Sequence, residues 1–441
     1  MRKQTSMRLV AVSTMSAVLS CLMYLANAQS LVWLGTLPYP YNKWSIAWGV
    51  SRGGSFVVGF SGDNPCPLGK VCSHAFYWIA PRGPMFDLNP GDDVTSVAWD
   101  ISGDGVIVVG AIFYFYGDYS TSHAVRWRSF QVEELWPGSD VCCSEAYGVS
   151  LDGVFAAGWY DPPDDGQPYS LPARWRNVQL DGLIPFEGEA RDTSENGLVT
   201  VGWARSTDTK RAFKWYRNGG VEWLEPLPGY QHSAAYAVSA DGSVVVGLSY
   251  NTLPDGSTCV DGRATRWIAG QVQDLGVLPD YPAVSVAFDV SADGSIVVGM
   301  SGSCPDSPFF SGRAFRWTES AGMQDLNVIY ASLLTEGSVL WSANAISPEG
   351  CYIVGVGSNS EADGEPRQIF GEAFWLHASC VPRNGDVNGD GCVDDADLLA
   401  VLFAFGQSCP ACPSCLEDLN CDGTVDDADL LIVLFNFGNG C

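Results

Sequence analysis

Positive charge and histidine are both scarce in this chain. Its 441 residues carry 23 Lys and Arg against 50 Asp and Glu, a formal net charge of −27, with four His. A surface so short of cations argues against nucleic acid and anionic membranes as partners. It suits cations, basic partners or plain solubility. Histidine chemistry has little to draw on. His74 and His123 precede AFYW and AVRW at equivalent places, His377 falls in a linker, and His232 stands alone between two repeats. No nucleophile elbow, phosphate loop or zinc-protease motif occurs. Beyond the first 25 residues no apolar run approaches the roughly 20 residues a spanning helix needs, so no transmembrane span is expected.

What is present begins with an export pattern. Arg2, Lys3 and Arg8 precede a mostly apolar run, Leu9 to Leu25, and Ala26-Asn27-Ala28 supplies a small-x-small cleavage site. The expectation is a signal peptide over 1–28 and a secreted or cell-surface chain starting at Gln29. Fourteen of the 15 cysteines would survive cleavage, and an even count outside the cell favours disulfides. Cys66 and Cys72 bracket one short loop, and Cys409, Cys412, Cys415, Cys421 and Cys441 crowd the C-terminus. The CxxC spacing there also suits zinc, but export favours disulfides.

The chain is rich in glycine (49) and proline (25), which favours strands and turns. Residues 31–376 hold seven copies of one pattern. Its turn serines are Ser51, Ser102, Ser150, Ser194, Ser239, Ser291 and Ser347. Its second-strand glycines are Gly59, Gly110, Gly158, Gly202, Gly247, Gly299 and Gly355, and its tryptophans Trp78, Trp127, Trp175, Trp215, Trp267, Trp317 and Trp375. Each copy reads as four short strands: AYAVS (235–239), an Asp-Gly hairpin, SVVVGLS (243–249), RATRW (263–267) and QVQDLGVLP (271–279). The array opens on a lone fourth strand, LVWLGTLP (31–38), and closes on a third, EAFWL (372–376). The first segment can therefore complete the last unit and close a ring. The predicted fold is mainly β: a seven-bladed β-propeller of four-stranded repeats over 29–376, with a small α-helical C-terminal domain. Connections between second and third strands (60–73, 111–122, 160–171, 204–210, 249–262, 301–312, 356–371) vary in length, so that face is expected to recognise a glycan or protein ligand.

The A-F-x-W and D-L-G-x-L-P pieces, joined to V-S-x-D-G-x-V-V-G, resemble the HAF extracellular repeat family over 31–376. The third and fourth copies are degenerate. The strand order and closing Trp are also similar to WD-repeat propellers, without the Trp-Asp pair. The HAF resemblance implies an extracellular repeat protein and no defined reaction.

After a linker at 377–385 the texture changes: residues 386–441 hold eleven acids and no Lys or Arg. DVNGDGCVDDAD (386–397) has calcium-loop spacing, with Asp386, Asn388 and Asp390 at positions 1, 3 and 5 and Gly391 at the sharp turn. Cys392 would ligate through its carbonyl, and Asp394 and Asp397 complete the set. DLNCDGTVDDAD (418–429) repeats it with Asp418, Asn420, Asp422, Thr424, Asp426 and Asp429. Position 12 is Asp where an EF-hand has Glu, and an apolar helical segment follows each loop (398–406, 430–438). This combination resembles type I dockerins. The resemblance implies two Ca2+ ions and docking to a cohesin-like or cell-surface protein. The pairs Asp395-Ala396 and Asp427-Ala428 depart from the Ser-Thr common at that family's partner-selecting positions.

No catalytic residue stands out. Asp161, Asp164 and Asp165 cluster in one loop, and Asp104, Asp152, Asp241 and Asp293 sit in hairpins where Asp-Gly is favoured for conformation alone. The expected function is a secreted, non-catalytic binding or structural repeat protein, attached to a partner by its calcium-dependent tail. The alternative is a carbohydrate-active enzyme, a glycoside hydrolase or lyase, on a propeller scaffold and delivered by the tail.

Overall fold

A computed structural model of the chain describes residues 29–38, 44–63, 72–91, 94–116, 119–135, 143–162, 170–206, 209–252, 259–302, 312–360, 371–378, 385, 387, 393–407, 417–419 and 424–438. The expected signal peptide, 1–28, lies outside them. The chain divides into two compact units, Leu31–Leu376 and a second containing His377–Cys441. Among the described residues no helix is long and apolar enough to cross a membrane.

The larger unit is mainly β. Its strands form four-stranded antiparallel units in chain order, five as separate sheets and two joined in an eight-stranded sheet by one parallel bridge, Gly262 to Val284. The first strands are Trp44–Val50, Thr95–Ile101, Ser144–Val149, Gly188–Thr193, His232–Val238, Val284–Val290 and Val339–Ile346; units 1 to 7 are numbered after them. Second strands are β-branched and buried from both sides: Val244, Val245, Val246 and Leu248 are at most 4% exposed. As the sequence suggested, Ser30–Trp33 pairs with Glu372–His377 and becomes the fourth strand of unit 7. Unit 7 packs back on unit 1, where Ala345, Val354 and Trp375 share one apolar cluster with Val50, Val57 and Trp78.

The repeated residues each have a mechanical task. The turn serine is buried in every unit. In unit 5 the Ser239 hydroxyl donates to Asp241 Oδ1 (2.7 Å) and accepts the Val244 N–H (2.9 Å), while Gly242 turns at φ +78°. Asp in the hairpin is thus conformational. A second buried serine on the first strand bonds across the seam: Ser96, Ser144, Ser233 and Ser285 accept the N–H of Ala75, Ala124, Ala212 and Ala264 in the preceding unit (2.9–3.0 Å). Ser45 takes Ala373 N in the same way (2.9 Å), joining unit 7 to unit 1. The third-strand tryptophans fill the seams, and Trp127 and Trp267 donate Nε1–H to Leu88 O (2.9 Å) and Glu225 O (2.7 Å) of the unit before. Burying one indole contributes roughly 4–6 kcal/mol of transfer free energy before entropy is counted.

One expectation needs correction. Residues 111–122 and 204–210 were expected to be connecting loops, but the ladders run on through them. Strands Ile107–Tyr116 and Tyr119–Arg128 stay paired out to Tyr116 and Tyr119, and Val199–Ser206 with Thr209–Tyr216 out to Ser206 and Thr209. Phe113, Tyr114, Phe115, Tyr116 and Tyr119 favour extended backbone in the first, and Thr209 in the second. Cys351 is disulfide-bonded. Cys66, Cys409, Cys412, Cys415, Cys421 and Cys441 lie outside the described residues.

Among its described residues the smaller unit has two helices, Asp395–Ala404 and Asp427–Asn436, each opened by a capping box. Val393, Val401, Leu419, Val425 and Val433 form its core, all at most 1% exposed.

Replacing Ser239 by Ala should strand the buried Val244 N–H, a loss of about 1–3 kcal/mol. Chemical denaturation of the full chain should show this as a lowered midpoint with unchanged slope, whereas the exposed Ser243→Ala should leave the midpoint in place.

Candidate functional site

A strand alternates its side chains between two faces, and a β-bulge re-aims one of them. Every first strand carries a bulge at the same place: between Ala47 and Gly49, Ala98 and Asp100, Ala146 and Gly148, Ala190 and Asp192, Ala235 and Ala237, Ala287 and Asp289, and Ala343 and Ala345; the last strand has a second, between Leu340 and Ser342. The second-strand glycine of the repeat stands opposite. A Cβ on Gly247 would lie 2.0 Å from Ala234 O, and one on Gly59 2.0 Å from Ile46 O, so any larger residue would push the bulged strand away.

The seven extra residues are Trp48, Trp99, Tyr147, Arg191, Tyr236, Phe288 and Asn344, and all of them line one cavity of about 230 Å3. They touch in chain order as a collar. Trp48 meets Trp99 edge-on (centroids 5.2 Å), and Trp99 meets Tyr147 (5.6 Å). The Arg191 guanidinium lies 4.1 Å from the Tyr147 ring centre and 5.8 Å from that of Tyr236. Tyr236 meets Phe288 (5.9 Å), and Phe288 returns to Trp48 (6.3 Å). Asn344 spans the last gap by donating Nδ2–H to Ala47 O (2.9 Å).

The next residue along each strand forms a second layer that reads Gly49, Asp100, Gly148, Asp192, Ala237, Asp289, Ala345. Three carboxyl groups therefore alternate with small residues. The small ones are needed, since a Cβ on Gly148 would sit 2.8 Å from Asp192 Cα. Each carboxyl ties its unit to the following one. Asp100, Asp192 and Asp289 accept the N–H of Val149 (2.8 Å), Val238 (2.8 Å) and Ile346 (2.7 Å), and each also accepts the N–H of its own successor. All three line both this cavity and a second, smaller space on the hairpin side.

Burial governs their charge. It pushes Asp192 up to about 7 and Asp289 to about 8, the latter with help from the Asp192 charge. Burial first, then the neighbouring Asp192, holds Asp100 well above the usual carboxylate range. Beside the collar, burial raises Glu145 to about 7, although Trp99 Nε1 donates to it (3.3 Å). Arg191 pairs with Glu189. The site thus offers flat apolar rings, one guanidinium, and carboxyls that exchange protons near neutral pH.

None of these residues stood out in the sequence, although aligning the copies on the turn serine would have shown an A-x-[GDA] column with aromatic, Arg or Asn at x. The residues that did stand out fall elsewhere. Asp104, Asp152, Asp241 and Asp293 are hairpin braces. His74 and His123 pair with Asp87 (2.8 Å) and Glu134 (3.4 Å) at equivalent strand positions. His232 packs on Tyr250 and accepts Lys210 N–H (3.2 Å), outside the cavity. Asp164 and Asp165 lie outside the described residues, as do the expected calcium ligands Asp386, Asn388, Asp390, Cys392, Asn420 and Asp422. Of the described ligands, Asp397 and Asp429 are fully buried. Asp397 accepts Val387 N–H (2.6 Å) and Asp394 N–H (2.9 Å); Asp429 accepts Leu419 N–H (2.6 Å) and Asp426 N–H (2.9 Å). Asp418 is also buried, Thr424 is exposed, and Asp394 and Asp426 cap the helices. Among the described residues no cluster of three His, Cys, Asp or Glu is placed to hold a metal.

No family model and no curated protein matches the chain. Solved structures do. The propeller domain of the Trilobed protease from Pyrococcus furiosus matches at TM-score 0.48 and 10% identity, over 76% of this chain and 94% of that one. Oligogalacturonate lyase from Vibrio parahaemolyticus matches at 0.46 and 10%, over 79% and 93%. TolB from Acinetobacter baumannii matches at 0.40 and 13%, over 62% of this chain and 63% of that one, under two thirds of its length. The likeness is one of fold. The matches include enzymes, a lyase and a peptidase, against the expectation of a non-catalytic binding or structural protein.

The raised carboxyls predict how stability depends on pH. A buried acid whose folded pKa lies above its unfolded value binds more protons folded than unfolded, so stability falls as pH rises from about 4 to about 8. Thermal melts of the full chain should give a higher midpoint at pH 5 than at pH 8, and Asp289→Asn should flatten that slope. An unchanged slope would mean that Asp289 ionises as it does in water.

Proposed function

We propose that the chain is a secreted carbohydrate-active enzyme, a glycoside hydrolase or lyase, built on a seven-bladed β-propeller with its active site in the collared cavity. The observation that carries this is the bulge in every unit, which turns five aromatic side chains, Arg191 and Asn344 toward one space above three carboxyls. Aromatic faces stack on the CH faces of a sugar ring. Glycosidic cleavage needs one carboxyl that gives a proton and one that takes it. Three buried carboxyls facing one space do not ionise together, so near neutral pH the trio holds protonated and ionised members at once. In this reading Asp192, whose charge raises the other two, supplies the base, Asp100 and Asp289 supply the acid, and the collar grips the sugar.

Purified protein should turn over at least one member of a polysaccharide panel. Asp289→Asn should lower that turnover by about 10²–10⁴-fold with the far-ultraviolet circular dichroism unchanged, and the rate should fall as pH rises through 7 to 8. Activity indifferent to all three aspartates would move the site elsewhere.

The tail supports the remaining part of the reading, delivery by a dockerin-like module that holds two Ca2+ ions and docks to a cohesin-like or cell-surface partner. Buried Asp397, Asp418 and Asp429 sit in a segment with no Lys or Arg, so a hard cation suits the donors present. Calorimetry of the full chain should record uptake of two calcium ions, and Asp390→Ala or Asp422→Ala should each remove one. No uptake at millimolar calcium would remove the tail's role.

A further inference from the structure

Six of the seven collar positions are aromatic or amide, and the seventh is Arg191. It stands where the other units place an uncharged side chain, at the wall of the cavity. Among the described residues the only acceptor its guanidinium meets is Glu189, reached through Nη2, and its Nε is buried without a hydrogen-bond partner. Its flat face is already used by Tyr147 and Tyr236. Yet 28% of the side chain remains accessible. A guanidinium has five N–H donors in a plane that matches a carboxylate. This one is held by stacking, underused in its hydrogen bonding, and set into a wall of rings.

We propose that the cavity selects an acidic sugar, one whose ring stacks in the collar and whose carboxylate is received by Arg191. The inference rests on the enzymatic reading above and names the substrate class of the same site. The surroundings permit an anion. Facing Arg191 are Glu145 and Tyr147 of unit 3, Glu189 and Asp192 of its own strand, Tyr236 of unit 5, Asp100 of unit 2 and Asp289 of unit 6. The first strands of units 1 and 7 carry no titratable side chain. Burial holds Glu145, Asp192 and Asp289 up at about 7, 7 and 8, so in mildly acidic solution they are uncharged and Glu189 is balanced by Arg191 itself. Protonated carboxyls then add hydrogen-bond donors for the same anion.

The test is calorimetry on the full-length protein with glucuronate and with glucose, compared side by side at pH 6. Glucuronate should bind at least tenfold more tightly. Arg191→Gln should weaken glucuronate about 10- to 100-fold, the range of one charged hydrogen bond, and change glucose less than about threefold; Arg191→Lys should recover part of the loss. Glu189→Gln frees the guanidinium from its internal partner and should tighten glucuronate, an effect of opposite sign that a bracing role for Arg191 would not produce. Raising the pH from 6 to 9 should weaken glucuronate alone. Equal affinity for the two sugars, or equal losses in Arg191→Gln, would overturn the acidic-sugar assignment and leave the enzymatic reading standing. Failure of both sugars to bind would overturn the two together.

Discussion

The close approach of two backbones at one glycine per unit is the constraint on which the rest of the ring depends. With no Cβ in the way, the first strand can crowd onto the second and carry an extra residue. That extra residue reverses the inward and outward sense of the strand at its midpoint. Had the seven strands stayed regular, Trp48, Trp99 and Tyr147 would alternate with the core-facing alanines in strict order and not share a cavity wall. One hydrogen atom in place of a methyl group, repeated seven times, separates a scaffold from a site.

The cavity is also where the ring has least to hold it. Between neighbouring units the seams are closed by tryptophans and by serines that accept an amide from the unit before. Around the cavity there is no further strand to pair with, and units 2, 4 and 6 extend an aspartate to the next unit's backbone instead. A buried carboxyl is an expensive clasp, because removing it from water costs several kcal/mol unless it stays protonated or well bonded. Serine or asparagine would bridge the same gap with no titration. The use of aspartate at all three places concentrates titratable groups at the wall of the cavity, so the clasp and the titrating groups are the same atoms.

The tail applies a related economy. Asp397 and Asp429, at matching places in the two tail repeats, each accept the amide of a residue ten positions earlier and the amide that opens the following helix. One carboxylate thereby fixes loop closure and helix entry together. The two repeats do this with matching distances, as expected when one short sequence pattern dictates a local geometry twice.

Local and periodic features were legible in the sequence. The seven copies, the Ser-x-Asp-Gly hairpins, the β-branched second strands and the N-terminal strand completing unit 7 all follow from short-range pattern and from where the array starts and stops. Hairpin ends were read less well, since extended pairing through Tyr114 to Tyr116 depends on the partner strand and not on the turn residues alone. The collar and the three aspartates were not read at all. Trp48, Trp99, Tyr147, Arg191, Tyr236, Phe288 and Asn344 lie about fifty residues apart in ordinary strand contexts, and nothing in one copy says that its bulged side chain will meet those of six others. The sequence by itself determined what each unit is. Only closing the ring decided which residues face one another across its cavity and how far burial there raises their proton affinity, because both are set by distances that no single repeat contains.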